Sequence, residues 1–399
     1  LTLGSADRIG GSTAVVIGGG TLAMGANNDT VGTFSITSGT LGGTGTLTAS
    51  TYALGGGTIS ANLGTGAATA ATGTTTVDGN LGGTLTASGG TVDLNGTLAD
   101  DLTVSSGAVN LGAADRLGDT SDVSISGGTL GLGANDDTVG TFAITGGTLG
   151  GTGTLTAATY ALNGGTIDAN IGAGAATASS GSTTLNGSLL ATTLAIDGGT
   201  VALGSNGRID NDTAVTLSAG VLDMGTFLDG VGSFTMTGGT VDGSGTLSSV
   251  VTGYDLQGGT INADLGTGTA TVSSGTTELN GNLGGDLTAS SGVANVGGTI
   301  AGNVTVSGGT VNVESADRIG NTSAVSVSSG TLDFAANDTV GAVQLTGGTI
   351  TGAGTVTGAS YDVQSGTISA ALAGAGAMTK TGAGTTTLSA NNSGYSGAV

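Results

Sequence analysis

Apolar and polar residues alternate in short bursts along the whole chain. Thr33-Phe34-Ser35-Ile36-Thr37 is one burst: Phe34 and Ile36 point one way and the hydroxyls the other, which is the period of a half-buried strand. The same burst recurs at Phe142/Ile144, Phe234/Met236 and Val343/Leu345. A second apolar pair recurs at Leu22/Met24, Leu130/Leu132, Leu222/Met224 and Leu332/Phe334. A third pairs Tyr52 with Leu54, Tyr160 with Leu162, Tyr254 with Leu256 and Tyr361 with Val363. The exchanges within each set stay apolar and similar in volume, as a packed interior requires. Phe34, Phe142, Phe234 and the four tyrosines Tyr52, Tyr160, Tyr254 and Tyr361 are therefore expected as interior structural residues. Gly, Asn and Asp break the bursts, and no helix is predicted.

The breaks have their own period. A turn-like glycine, mostly in a GGT or SGT context, recurs from Gly20 through Gly39, Gly57 and Gly73 to Gly384, at a spacing of about 18 residues. A longer unit is superposed on it. Ala6 to Gly10 reads ADRIG, and the motif returns at Ala114 to Gly118, in degenerate form at Asn206 to Asp210, and at Ala316 to Gly320. The large units therefore run about 6–113, 114–205, 206–315 and 316–399. The second is shorter by one whole step, a change expected only where each step is a layer touching just its neighbours. One continuous all-β structure over 1–399 follows: a single-stranded, right-handed parallel β-helix (a solenoid) of about 21 coils of about 18 residues. Parallel stacking about 4.8 Å apart would make it a rod roughly 100 Å long. The competing expectation is an array of immunoglobulin-like sandwiches of about 100 residues. It does not explain the shorter period. Leu1 to Gly10 matches the interior segment Asn110 to Gly118, so the chain is expected to be a fragment of something longer.

Composition sharpens this picture. Glycine accounts for 85 of 399 residues and proline for none. Proline cannot donate to a ladder, so its absence suits continuous strand stacking. With no His and no Cys, a Ser-His-Asp triad, a thiol nucleophile and a nitrogen or sulfur metal site are all excluded. Five cations against 27 acids give a net charge of −22, which argues against nucleic acid and against an anionic membrane surface. No apolar run is long enough to span a membrane, so no membrane insertion by this segment is expected.

Four of the five cations, Arg8, Arg116, Arg208 and Arg318, share one position in the large unit. Two roles fit them: a local charge pair or carbonyl-capping contact within a turn, or a periodic contact to an acidic neighbouring molecule. The acids are nearly all Asp and recur in corresponding places, as with Asp29, Asp136 and Asp338, which suits αL turn positions and solubility. A catalytic carboxylate pair would be unique, so no catalytic residue is assigned and no enzyme is expected. Oxygen ligands suit calcium, and Asp100, Asp101, Asp119 and Asp122 lie close in sequence as weak candidates for it. The calcium-binding nonapeptide pattern is absent, and no other cofactor is expected. Outward threonines stacked coil on coil form either a hydroxyl array for glycans or simply a β-favouring solvent face.

The segment Met378 to Gly397 reads MTKTGAGTTTLSANNSGYSG. It resembles the autotransporter-associated β-strand repeat of passenger domains in large Gram-negative surface proteins. Lys380, Gly382, Gly384, Leu388, Asn392, Tyr395 and Gly397 match that pattern; Thr386 stands where Leu is usual, and Gly394 is an extra residue. The resemblance implies a right-handed β-helix at the extracellular surface of a Gram-negative bacterium, serving as a structural or adhesive stalk. Its partners would be other surface proteins or glycans. A self-assembling subunit of an extracellular filament, sheath or surface layer, whose partners are copies of itself, is the alternative. A polysaccharide-degrading enzyme is a distant third.

Overall fold

The computed structural model describes residues 1–399. It contains strands and turns and no helix. The strands form a parallel β-solenoid of about 21 turns, with partners about 18 residues apart. Two compact units can be distinguished, Leu1–Thr193 and Leu194–Val399, and each is a run of parallel coils. Their boundary does not coincide with a boundary between large sequence units. Sandwich modules do not occur, since every ladder described is parallel.

Interior columns run from coil to coil in both units. In the first, Phe34 lies beside Tyr52, Tyr52 beside Ala68, and Ala68 beside Leu85. The column continues through Leu102, Val123 and Phe142 to Tyr160 and Ala176. In the second unit, Phe234, Tyr254, Ala270, Leu287 and Val304 form the corresponding column. All these side chains are buried. An alanine follows each Tyr of these two columns, so the small residue makes room for the ring. Burying one large apolar side chain stabilises the fold by roughly 1.5–3 kcal/mol, and nearly every coil repeats that gain.

A second column shows a feature absent from the sequence reading. Leu22, Leu41, Ile59, Val77, Leu94 and Leu111 stack in register. A new column starts two residues earlier in its strand at Thr75 and continues through Val92, Val109 and Leu130. Thr277 starts the equivalent column in the second unit, leading to Ala294, Val311 and Leu332. Both threonines are buried, and both pair with a glycine of the preceding coil, Gly57 or Gly259, which leaves space for an inward side chain.

The corners explain part of the glycine content. Gly39 has φ 88°, and a Cβ there would collide with the carbonyl oxygen of Gly20 in the preceding coil. Left-handed backbone and close stacking coincide at this position, so only glycine fits. The aspartates behave differently from expectation. The left-handed non-glycine residues are Asp7, Asp115 and Asp317, each at φ 54°. The Asn-Asp clusters around Asp29, Asp136 and Asp338 are not left-handed. Their role is to bond to neighbouring coils, which keeps them in ordinary backbone geometry.

Candidate functional site

The rarest residues mark a recurring turn. Asp7 adopts a left-handed conformation, and the next two amides then point at one carboxylate of the following coil. Arg8 N donates to Asp29 Oδ2 at 2.8 Å, and Ile9 N donates to the same oxygen at 3.2 Å. Asp137 accepts from Arg116 N and Leu117 N at 2.8 and 3.3 Å. Asp229 accepts from Arg208 N at 2.6 Å and from Ile209 N at 3.2 Å. Asp338 accepts from Arg318 N and Ile319 N at 2.8 and 3.2 Å. The equivalent of Asp29 in the large sequence unit 114–205 is thus Asp137. Asp136 instead takes the place of Asn28 and Asn337: its Oδ1 accepts from Thr154 N, as theirs do from Thr46 N and Thr355 N.

The arginine side chains are less uniform than their backbones. Arg8 Nε donates to Ser5 Oγ, and Arg208 Nε donates to the Asn206 carbonyl at 3.2 Å. Arg116 Nε and Arg318 Nε are buried without a hydrogen-bond partner. The carbonyl contact of Arg208 is of the capping kind. What all four turns share is the pair of amides meeting an aspartate.

Burial pushes the carboxyls of Asp137, Asp229 and Asp338 above the ordinary range, against the pull of the amides they accept from. In Asp137 and Asp338 the second oxygen, Oδ1, is buried and has no hydrogen-bond partner. Asp242 and Asp362 move the other way. Asn262 Nδ2 donates to Asp242, and Thr381 Oγ1 donates to Asp362 at 2.7 Å, and both carboxyls are held below their usual value.

The tyrosines form a second recurring device. Tyr52 Oη accepts from Ala49 N and donates to the Leu47 carbonyl, both at 2.9 Å. Tyr160 accepts from Ala157 N, Tyr254 from Ser249 N and Tyr361 from Gly358 N. Each hydroxyl thereby ties its ring to the backbone a few residues earlier in the same coil. Burial raises all four phenols above their ordinary value. Phe34, Phe142 and Phe234 meet their tyrosines edge to face, with centroids 6.3–6.4 Å apart. In the last unit Val343 occupies the Phe position, and Tyr361 packs against Tyr395 at 5.8 Å.

Outward-facing acids are tied into rows. Asn95 Nδ2 donates to Asp78, Asn110 to Asp93 and Asn295 to Glu278, each 17 residues back. The calcium candidates are all exposed. Asp101 Oδ1 accepts from Asp122 N, Asp122 Oδ1 accepts from Thr141 Oγ1, and Asp100 Oδ1 accepts from Asp101 N. These acids bond along the coils, and no group of three or more acidic side chains gathers as a cation site anywhere in the structure. Outward threonines do stack, as Thr129, Thr148 and Thr166 show, alongside the buried leucine column.

The segment 378–397 lies on the same ladders. Ala377–Lys380 pairs with the strand Thr355–Val363, and Thr386–Leu388 pairs with Gly366–Ile368. Asn392 Oδ1 accepts from Leu372 N, and Tyr395 Oη donates to the Gly376 carbonyl at 2.8 Å. Lys380 Nζ closes its own turn by donating to the Thr381 and Gly382 carbonyls. The sequence reading passed over the step from Gly239 to Gly259, which is two residues longer than its counterparts; the structure places an outward bulge there, at Val250 and Val251.

Comparison with protein-family models, with curated proteins and with solved structures gives no match.

Proposed function

We propose that the chain is a non-enzymatic structural and adhesive solenoid at the surface of a Gram-negative bacterium, of the kind found in autotransporter passenger or stalk regions. The observation that carries this reading is repetition with the same use. The aspartate that caps an arginine turn and the Asn–Asp rows recur and bond coil to coil each time, and the recurring tyrosine bonds the backbone just before it within its own coil. A catalytic centre requires one unrepeated constellation. The surface location and the stalk role rest on the resemblance of residues 378–397 to passenger repeats.

The test uses the purified chain. Beads coated with it are expected to adhere to cells or to immobilised surface glycans, and incubation with neutral and acidic polysaccharides should release no reducing ends and no unsaturated sugars. Release of either product would overturn the non-enzymatic reading. Regular fibres in electron micrographs of the purified chain, without adhesion, would instead support a self-assembling filament or layer subunit.

A further inference from the structure

An asparagine followed two residues later by Ser or Thr is the acceptor pattern, or sequon, for an N-linked sugar, provided that the residue between is not Pro. The chain has no Pro, and the pattern occurs eight times. A transferase must reach both the amide and the hydroxyl, so their exposure decides which sequons are acceptors in the folded chain. In five of the eight the hydroxyl-bearing residue, Thr97, Ser188, Thr213, Thr305 or Ser323, is buried or half-buried. At Asn28 and Asn337 both ends of the sequon are exposed, but the residue between is a capping aspartate, Asp29 or Asp338, only 2% or 1% exposed. Asn28 Oδ1 accepts from Thr46 N and Asn337 Oδ1 from Thr355 N, each 18 residues on, so both asparagines help to hold neighbouring coils together. Thr30 and Thr339 are themselves in paired strands.

The eighth sequon, Asn391-Asn392-Ser393, differs in each respect. No strand includes it. Asn391 and Ser393 are exposed, and so is Gly394 beyond them. Asn391 Oδ1 accepts from Ser393 N at 3.2 Å, a local bond, while its Nδ2 and the Ser393 hydroxyl bond to nothing in the chain. The residues around them are anchored. Asn392 Oδ1 accepts from Leu372 N at 2.8 Å, and Tyr395 N donates to the Asn392 carbonyl at 3.0 Å. Asn391 thus presents a free amide on a fixed turn, and a group attached there breaks no bond between coils.

We propose that Asn391 is an acceptor for an N-linked sugar, transferred by an asparagine glycosyltransferase from a glycosyl diphosphate. Nδ2 attacks the anomeric carbon, and the C1–N bond forms as the C1–O bond to the diphosphate breaks. The electron pair leaves on the diphosphate oxygen, and Nδ2 gives up one proton. Ser393 supplies the hydroxyl that the sequon requires. Nucleotide sugars and lipid-linked oligosaccharides share this leaving group, so either is a chemically complete donor. The product carries a bulky, solubilising group at a place where the fold asks nothing of the side chain.

The folded full chain is incubated in two arms. One contains a soluble sequon-specific transferase with UDP-glucose, the other a membrane oligosaccharyltransferase with a lipid diphosphate-linked oligosaccharide. Trypsin then isolates Asn391 in the peptide Thr381–Val399, apart from every other sequon, because Lys380 is the last cation of the chain. Mass spectrometry should find the added sugar on that peptide in at least one arm, and the arm identifies the donor. Occupancy of the other sequons should be at least about tenfold lower, because a sequon held in a ladder is reached only through local opening. Asn391→Gln and Ser393→Ala should each abolish the addition and Ser393→Thr should retain it, all three with the wild-type melt by circular dichroism. No sugar on Thr381–Val399 in either arm, comparable occupancy at another sequon, or undiminished transfer to Ser393→Ala would overturn the site.

Discussion

At the scale of single residues, the hydrogen bonds of buried polar groups are where the fold is most vulnerable. Tyr160 Oη serves the Ala157 amide at 2.6 Å and lies 3.2 Å from the Leu155 and Ala173 carbonyls. Tyr160→Phe keeps the ring and removes all of this, so a loss of about 1–3 kcal/mol is expected, read as a lower urea midpoint. Three of the capping aspartates, Asp137, Asp229 and Asp338, set a pH dependence of opposite sign to the usual acid-labile carboxylate. Their folded values lie above the unfolded one, so the folded chain holds more protons within that window. Their contribution to stability is fully present below about pH 4 and is lost as the pH rises through the raised values. Urea unfolding between pH 4 and 7 should show wild type losing stability more steeply than a variant carrying Asp137→Asn, Asp229→Asn and Asp338→Asn. Equal slopes would show that these carboxyls titrate like exposed ones.

At the scale of the element, the coil is the unit of addition. The large unit 114–205 is one coil short, and its strands Ala175–Ala178 and Ser182–Leu185 still pair onward with Thr193–Leu203. Thr74 pairs with Thr91, and Leu85 pairs with Leu102, so residues 74–90 form one coil in register. Deleting 74–90 should leave a chain with the same β-type circular dichroism and a cooperative melt near that of wild type. Deleting 74–82 breaks the register, turns apolar residues outward, and should destroy the cooperative melt of that region. This modularity was legible from spacing, because Phe34, Tyr52 and Leu41 carry an inward period that needs no tertiary knowledge. The partners of Asp29 and Asp137 were not legible. Their bonds reach amides 20 and 21 residues earlier, and nothing local distinguishes Asp136 from Asp137. The Asn–Asp rows left a detectable trace, since Asp78 and Asn95, and Asp93 and Asn110, stand 17 residues apart. The bulge at Val250 and Val251 left only a step that is two residues longer than its counterparts.

For the whole molecule, charge sets the conditions of stability. An excess of 22 negative charges, with acids arranged in rows, repels itself across the surface. Salt shortens that repulsion to within a Debye length of roughly 10 Å at 0.1 M. The thermal midpoint should therefore rise between 10 mM and 500 mM sodium chloride, as measured by circular dichroism. A flat or falling midpoint would mean that the Asn and Thr side chains between the acids already neutralise the effect. The four interior tyrosines, one in each large unit, have one more consequence. The chain contains no tryptophan to collect excitation energy, so its near-ultraviolet emission comes from tyrosine alone. Replacing all but one phenol by phenylalanine would leave a native optical beacon in a chosen quarter of the polypeptide, and the order in which the quarters come apart could be followed without attaching a dye.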